Sequence, residues 1–319
     1  MLTYVVRRLL GVIPVILLVT LLVFTLNANI PGDPGRIRLG QQADPVMVEA
    51  YNRERGYLDP FFTQYVRYLK NAALLDFGES DVKSGTPVRS IILGAFSVTF
   101  RLAVFGTLIA SVIGVVAGVI SAVKSRTWLD YAAMLFAVVG VSMPVFWLGI
   151  MMVIFVAPTL ASMFGGRALT GIQGDGFFAQ LPSYILPSLT LGLVFSATIA
   201  RLTRSAMLDV LTQDFIRTAR SKGLGSWAVV VRHALRNASI PIVTVIGNSF
   251  AYLLVGAVLT ESVFSLPGLG REVVTAIQQR DRFVITGGIL FMALVFVLVN
   301  LLVDLLYAVL DPRIRLGRG

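Results

Sequence analysis

Six stretches of the chain carry no charged side chain: Leu9 to Gly32, Leu102 to Val123, Tyr131 to Gly166, Gly176 to Ala200, Asn237 to Thr260 and Phe283 to Val303. Roughly 20 apolar residues, rising about 1.5 Å each along a helix, cover the hydrocarbon core of a bilayer. The pattern therefore predicts six membrane-spanning helices, which put both termini on one side. The third stretch exceeds a single crossing and predicts a helix from about Asp130 to Leu160, followed by a loop around Gly165 and Gly166. The first stretch follows Arg7-Arg8, as a secretory signal would. Its uncharged core is longer than a signal's and has no convincing small-x-small cleavage site, so a retained helix (1–30) is expected.

Between the first two spans lies a segment, 31–95, with a Pro31-Gly32-Asp33-Pro34 turn, balanced charge and many aromatic residues. It predicts a small external subdomain with short helices such as Gln64 to Leu75; a floppy loop is the alternative. Five spans follow within 96–310, and 311–319 is a tail. Gly114-x-x-x-Gly118 permits close helix contact, and Pro144 is expected to kink the third helix.

Composition agrees with the pattern. The chain is 56% hydrophobic and only 14% charged, with a mean hydropathy of +0.82, where a soluble domain is nearer a quarter charged. The net charge of +10 would raise nucleic-acid binding in a soluble protein. Here nearly all the excess falls at Arg7-Arg8, Lys124 and Arg126, the Arg201 to Arg236 connection and the 311–319 tail, the segments that are cytoplasmic if the N-terminus is. No basic cluster is left that needs a nucleic acid. There is no cysteine and a single histidine, His233, which excludes thiolate and multi-histidine metal sites. No Gly-x-x-x-x-Gly-Lys-Ser/Thr phosphate loop, His-Glu-x-x-His or Gly-x-Ser-x-Gly occurs, so no catalytic residue is assigned.

The connection Arg201 to Arg236, between the fourth and fifth spans, is long for a turn. Thr212 can cap a short helix with Asp214 in its first turn, and Gly223 can end it in the left-handed conformation. That helix places Phe215, Ile216 and Ala219 on one face, with Arg217, Arg220 and Lys222 toward the sides. A second helix can start at Ser226 and carry Trp227, Val230 and Val231 toward the fifth span. A rigid helix held between two spans suits a mechanical contact; the other reading is an interfacial helix that anchors basic side chains to lipid phosphates.

Elsewhere, Asn300, Asp304 and Tyr307 share a face of the sixth helix, as a structural bond or as part of a gate or pathway. Glu261 and Pro267-Gly268-Leu269-Gly270 mark the outer end of the fifth span, as a gate, a docking surface or plain capping. Pro144 and Trp147 would face a pathway if the third helix lines it.

The run Asp214-Phe215-Ile216-Arg217-Thr218-Ala219-Arg220-Ser221-Lys222-Gly223-Leu224, followed by Arg232-His233-Ala234-Leu235-Arg236-Asn237-Ala238, resembles the cytoplasmic EAA-type loop of binding-protein-dependent ABC permeases. It is most similar to the dipeptide, oligopeptide and nickel branch, which commonly reads Arg-Thr-Ala where the general motif has Glu-Ala-Ala. Further matches extend the resemblance over nearly the whole chain. They include Asp76-Phe77-Gly78-Glu79-Ser80, Ser142 to Gly149, Glu261 to Gly270, Asn300 to Tyr307 and Asp311-Pro312-Arg313-Ile314-Arg315, in an order that favours the first of two permeases.

The resemblance implies an all-α membrane protein of six transmembrane helices with the type I ABC importer transmembrane-domain fold, both termini cytoplasmic, in the bacterial cytoplasmic (inner) membrane. It implies that Asp214, Arg217, Thr218, Ala219, Arg220, Lys222, Gly223 and Leu224 meet an ATPase subunit within a 201–236 coupling segment. The implied partners are a second homologous permease, two ABC ATPase subunits, an external or periplasmic substrate-binding protein and membrane lipid. ATP and Mg would be used by the ATPase subunits, with no cofactor on this chain. The cargo implied is a peptide, with nickel chelates, haem and some sugars inside the family's range. A self-sufficient channel would not need the structured connection, and an intramembrane hydrolase would need a nucleophile and base that the spans lack.

Overall fold

The structure, a computed structural model, describes residues 2–29, 32–83, 85–163, 170–174 and 176–310. The Gly165-Gly166 loop and the 311–319 tail lie outside the described residues, as does the side chain of Tyr307. The described residues are helical apart from turns and one isolated antiparallel bridge between Glu79 and Pro87.

The helices, in order, are α1 (Leu2–Ala28), α2 (Pro34–Leu39), α3 (Pro45–Glu54), α4 (Phe61–Ala73), α5 (Val88–Val123), α6 (Trp128–Ser142), α7 (Val145–Met151) and α8 (Ala157–Met163). They continue as α9 (Phe177–Leu211), α10 (Asp214–Ser221), α11 (Arg236–Gly256), α12 (Val258–Val263), α13 (Leu269–Gln279) and α14 (Arg282–Leu310). Two π-helical segments, Met152–Val156 and Ala228–Leu235, join α7 to α8 and lead into α11. Among the described residues, five stretches are long and apolar enough to cross a membrane: Val88–Val123, Val145–Met163, Phe177–Leu211, Ala228–Val255 and Arg282–Leu305. Leu10–Leu26 and Trp128–Ser142 are shorter apolar helices.

Three departures from the sequence pattern have plain causes. The single helix expected from about Asp130 to Leu160 is two, because Pro144 lacks an N–H and drives Met143 into extended backbone (ψ 128°). Pro144 becomes the N-cap of α7 instead of a kink. The π turn at Met152–Val156 lies just before Pro158, whose ring displaces the carbonyl of Ile154, four residues back. Finally, α9 continues to Leu211, so Arg201 and Arg204 lie on a helix and the connection proper begins only at Thr212. Apolar length marks where a membrane ends, not where a helix does.

The chain divides into two compact units. One comprises residues 2–98 and 268–297. Its core gathers Phe77, Val88 and Ile92 with Leu269 and Val273 of α13 and Val284, Ile285 and Phe291 of α14. Asp33 and Asp44 cap α2 and α3 by accepting from the N–H of Arg36 and of Val46. The Asp33 carboxyl is held below the usual carboxylate range, chiefly by the Asn52 amide donating to it. Behind the Asp76 to Ser80 motif, Asp281 accepts hydrogen bonds from the Ser80 hydroxyl and from the N–H groups of Asp81, Val82 and Val284. Asp81 itself is buried, and one of its oxygens has no partner among the described residues. Burial, and then the Asp281 carboxylate, push its pKa up to about 6 against the opposing charges of Arg282 and Arg38.

The other unit, 99–267 with 298–310 among the described residues, is organised around α9. Sixteen residues of α9 are buried, against α5, α6 and α11. Gly114 and Gly118 let α5 approach closely: a Cβ on Gly118 would lie 2.6 Å from the Ala200 carbonyl oxygen and 2.6 Å from Thr203 Cβ.

Gly118→Ala is expected to lower the thermal midpoint of the purified protein through an overpacking penalty of about 1–3 kcal/mol; an unchanged midpoint would contradict this packing. For Asp81 the folded pKa exceeds the unfolded one, so the folded state holds the proton longer. Stability then falls as pH rises from 3.8 toward about 6. Thermal unfolding across that window should show the decline in the wild type and a flatter profile in Asp81→Asn.

Candidate functional site

The segment after α9 is built as a short polar helix clamped from behind. Thr212, expected to cap α10, instead ends α9, its hydroxyl donating to the Asp209 carbonyl at 3.0 Å. Gln213 takes the N-cap position with no side-chain bond, and Asp214 sits in the first turn, where the helix dipole favours it. At the other end Gly223 has φ +77°, its N–H bonds the Arg220 carbonyl (2.9 Å), and the N–H of Leu224 reaches the Ala219 carbonyl (3.4 Å). That pair of bonds is a Schellman closure, which requires the left-handed residue that glycine supplies.

Ile216 and Ala219 are buried in one cluster with Ala122 of α5, Met207 and Val210 of α9, and Val229, Ala234 and Ala238 of the segment entering α11. The expected apolar face is thus split. Phe215 is 38% exposed, as are Leu224 (42%) and Trp227 (80%). Arg217, Thr218, Arg220 and Lys222 are also exposed, and Arg217 makes a loose 3.5 Å pair with Asp214. α10 and the turn that follows it therefore present cations and three large apolar side chains outward, while Ile216 and Ala219 hold the helix to three others. The second helix starts at Ser226 as expected but turns π-helical from Ala228. Arg232, His233 and Arg236 line an open polar hollow of about 440 Å³ beside it.

One ion pair near this segment escapes sequence reasoning. Asp130, 2% exposed in the first turn of α6, is gripped by Arg204 of α9 through Nε (2.7 Å) and Nη2 (2.8 Å). It also accepts from the Ser121 hydroxyl and from the N–H of Arg126 (2.9 Å). Four chain segments thus meet on one carboxylate, about two turns of α9 before Thr212. The partners are 74 positions apart, so no local pattern joins them. The available signal is an aspartate opening an otherwise charge-free span.

The candidate pathway residues fall in different settings. Pro144 is exposed, and Trp147 is 43% exposed. Gly149 of the same motif packs on Val263 and Phe264, which brings the Ser142 to Gly149 and Glu261 to Gly270 motifs together. Glu261 is fully buried and accepts from the Thr99 hydroxyl at 2.6 Å. Asn300 and Asp304 are half-buried on α14.

Residues 114–316 match the family of binding-protein-dependent transport system inner membrane components, and residues 1–110 match that system's membrane component N-terminal family. The chain belongs to this family. The permease is 42% identical to the dipeptide transport system permease protein DppB of Alkalihalophilus pseudofirmus, over 99% of this chain and all of that one. It is 41% identical to the glutathione transport system permease protein GsiC of Escherichia coli K12, over 99% of each. Among solved structures, a chain of the inward-facing MetNI methionine ABC transporter superposes with a TM-score of 0.56 at 17% identity, covering 69% of this permease and 96% of that chain. The transmembrane fold is therefore that of ABC importers.

Truncating Asp130 to Ala leaves the Arg204 guanidinium, 29% exposed, without its carboxylate, and should destabilise the permease by about 3–5 kcal/mol. Combining it with Arg204→Met should recover much of that loss. Thermal unfolding of the double-mutant cycle measures the coupling, and strict additivity would mean that the pair contributes nothing.

Proposed function

We propose that this permease is the first of two membrane subunits of an ATP-driven peptide importer in the bacterial cytoplasmic membrane. On this reading six crossings are made by α1, α5, the run from α6 to α8 that is broken at Pro144, α9, α11 and α14, with both termini cytoplasmic. A binding protein delivers the peptide on the outer side, a second permease completes the pathway, and two ATPase subunits use ATP and Mg at the inner face. The permease hydrolyses nothing itself. Full-length similarity to dipeptide and glutathione permeases favours a peptide cargo.

The observation that carries the reading is α10 with the turn after it: Phe215 on the helix and Leu224 and Trp227 beyond it are exposed, while Ile216 and Ala219 are buried against α5, α9 and the entry to α11. Exposed large apolar side chains beside Arg217, Arg220 and Lys222 form a surface for a protein cleft. The two buried contacts give that cleft a grip on three helices at once. Closure of the ATPase pair would displace α10 and, through the cluster, tilt α9 and α11. Asp130 and Arg204 would carry the same displacement to α6.

Gly223→Val puts a β-branched side chain at φ +77°, where no neighbour lies within 4 Å of the new Cβ. The effect is therefore backbone strain of about 1–3 kcal/mol on the helix end. In vesicles reconstituted with the complete complex, ATP hydrolysis should persist while peptide uptake falls. Wild-type uptake per ATP would rule out α10 as the coupling element.

A further inference from the structure

The helix α4 belongs to the same compact unit as α1, and the helical period of 3.6 residues divides it into three faces. Phe61, Tyr65 and Tyr68 form the first, which α1 covers. The Phe24 ring lies 5.2, 5.5 and 5.5 Å from theirs, centroid to centroid. The Tyr65 hydroxyl donates to the Leu17 carbonyl (3.1 Å) and lies 2.9 Å from the Thr20 hydroxyl. Gln64, Arg67 and Asn71 form a second, polar face. The Gln64 amide donates to the Tyr57 and Asp59 carbonyls, and Arg67 pairs with Asp59.

The third face, opposite the polar one, is apolar and turned outward. Phe62, Val66, Leu69 and Ala73 recur at i, i+4, i+7 and i+11 and make a stripe three turns long. Phe62 is 74% exposed and Val66 49%; Ala73 is exposed and Leu69 half-buried. A continuous stripe of this kind, unlike a single exposed leucine, needs a covering.

The depth of α4 along α1 says what the covering is. Three side chains from two turns of α4 converge on the one residue Phe24, so α4 lies across α1 instead of running beside it. Thr20, beneath Tyr65, is six residues, about 9 Å, before the end of the apolar helix Leu10–Leu26. Amphipathic helices that lie in a membrane surface bury their apolar face by about the same amount, 5–10 Å. At this level α1 exposes Leu18, Leu21 and Leu22, a surface that lipid covers if α1 crosses the membrane. Tyr65 and Tyr68 suit the interfacial level, where tyrosine collects. Lys70, exposed beside the stripe, has a stem long enough to bring its ammonium to the phosphates. A soluble protein docking from outside would meet the unit above the headgroups, not 9 Å down the apolar part of α1.

We propose that α4 is an interfacial helix embedded in the outer leaflet, with Phe62, Val66, Leu69 and Ala73 on acyl chains and Gln64, Arg67 and Asn71 toward water. The proposal rests on the reading in which α1 crosses the membrane from the cytoplasmic side. The 31–95 segment is then partly seated in the bilayer and not a cap held wholly in water.

The chain contains no cysteine, so single spin labels can be placed at Phe62→Cys, Val66→Cys, Thr63→Cys and Asn71→Cys, with Leu18→Cys on α1 as the depth reference. The complete complex is reconstituted in vesicles of phosphatidylethanolamine and phosphatidylglycerol, and the complex with the unsubstituted permease, treated with the same label, supplies the background. All five positions except the half-buried Thr20 neighbourhood are avoided by the core, so the thermal midpoints should match the wild type. Labels at 62, 66 and 18 should collide with oxygen and be shielded from a water-soluble nickel chelate, and labels at 63 and 71 should show the reverse. If 62 and 66 meet the nickel chelate while 18 does not, the proposal fails and the α1 crossing stands. If 18 meets it as well, the α1 crossing fails and takes the proposal with it. Labels at 62 and 66 shielded from both reagents would mean that another protein covers the stripe, which also overturns the proposal.

Discussion

Helices in a bilayer gain little by exchanging lipid for another apolar surface, so they associate where their backbones come close. The unit that holds the coupling segment depends on that constraint at α9. Its most apolar window is 56% buried, against 33% or less in the other candidate spans. Glycines on the neighbours make part of that enclosure possible: Gly114 and Gly118 on α5, and Gly140 on α6 opposite Ala197. A helix confined on several sides moves as a body. Since α9 runs without interruption to Leu211 and α10 begins at Asp214, a displacement at one reaches the other through two residues.

Much of this architecture was readable from the chain. Five of the six charge-free runs coincide with stretches long and apolar enough to cross a membrane, the first holding only the shorter apolar helix Leu10–Leu26, and glycine at Gly223 located the end of α10, because burial in lipid and positive φ each demand a narrow set of residues. The centre of the third run was misread because a proline inside a long apolar run can either kink a helix or divide it. Hydrophobicity does not distinguish the two outcomes. Thr212 was misplaced for a related reason: a threonine between two helices can serve either, and only the length of α9 decides. Phe215, expected on one face with Ile216 and Ala219, is exposed while they are buried, because neighbouring helix positions point about 100° apart.

The candidate pathway residues separate along the same line. Motifs whose residues are adjacent in sequence were visible, whereas the meeting of Gly149 with Phe264 and of Thr99 with Glu261 was not, since each joins segments more than a hundred positions apart. The π-helical entry to α11 was also invisible, because a π turn differs from an α turn by one residue in register and leaves no mark on apolar spacing.

The carboxylate of Asp130 bears on exchanging segments between related permeases. Its partners Ser121, Arg126 and Arg204 lie on α5, on the turn before α6 and on α9, so a hybrid that joins 99–130 of this permease to an α9 without a cation at position 204, or the reverse, leaves one charge unmatched. In the low-dielectric interior an unmatched guanidinium is far less tolerable than a mismatched methyl group. A boundary drawn at the visible ends of the membrane helices can therefore still divide this permease at Asp130.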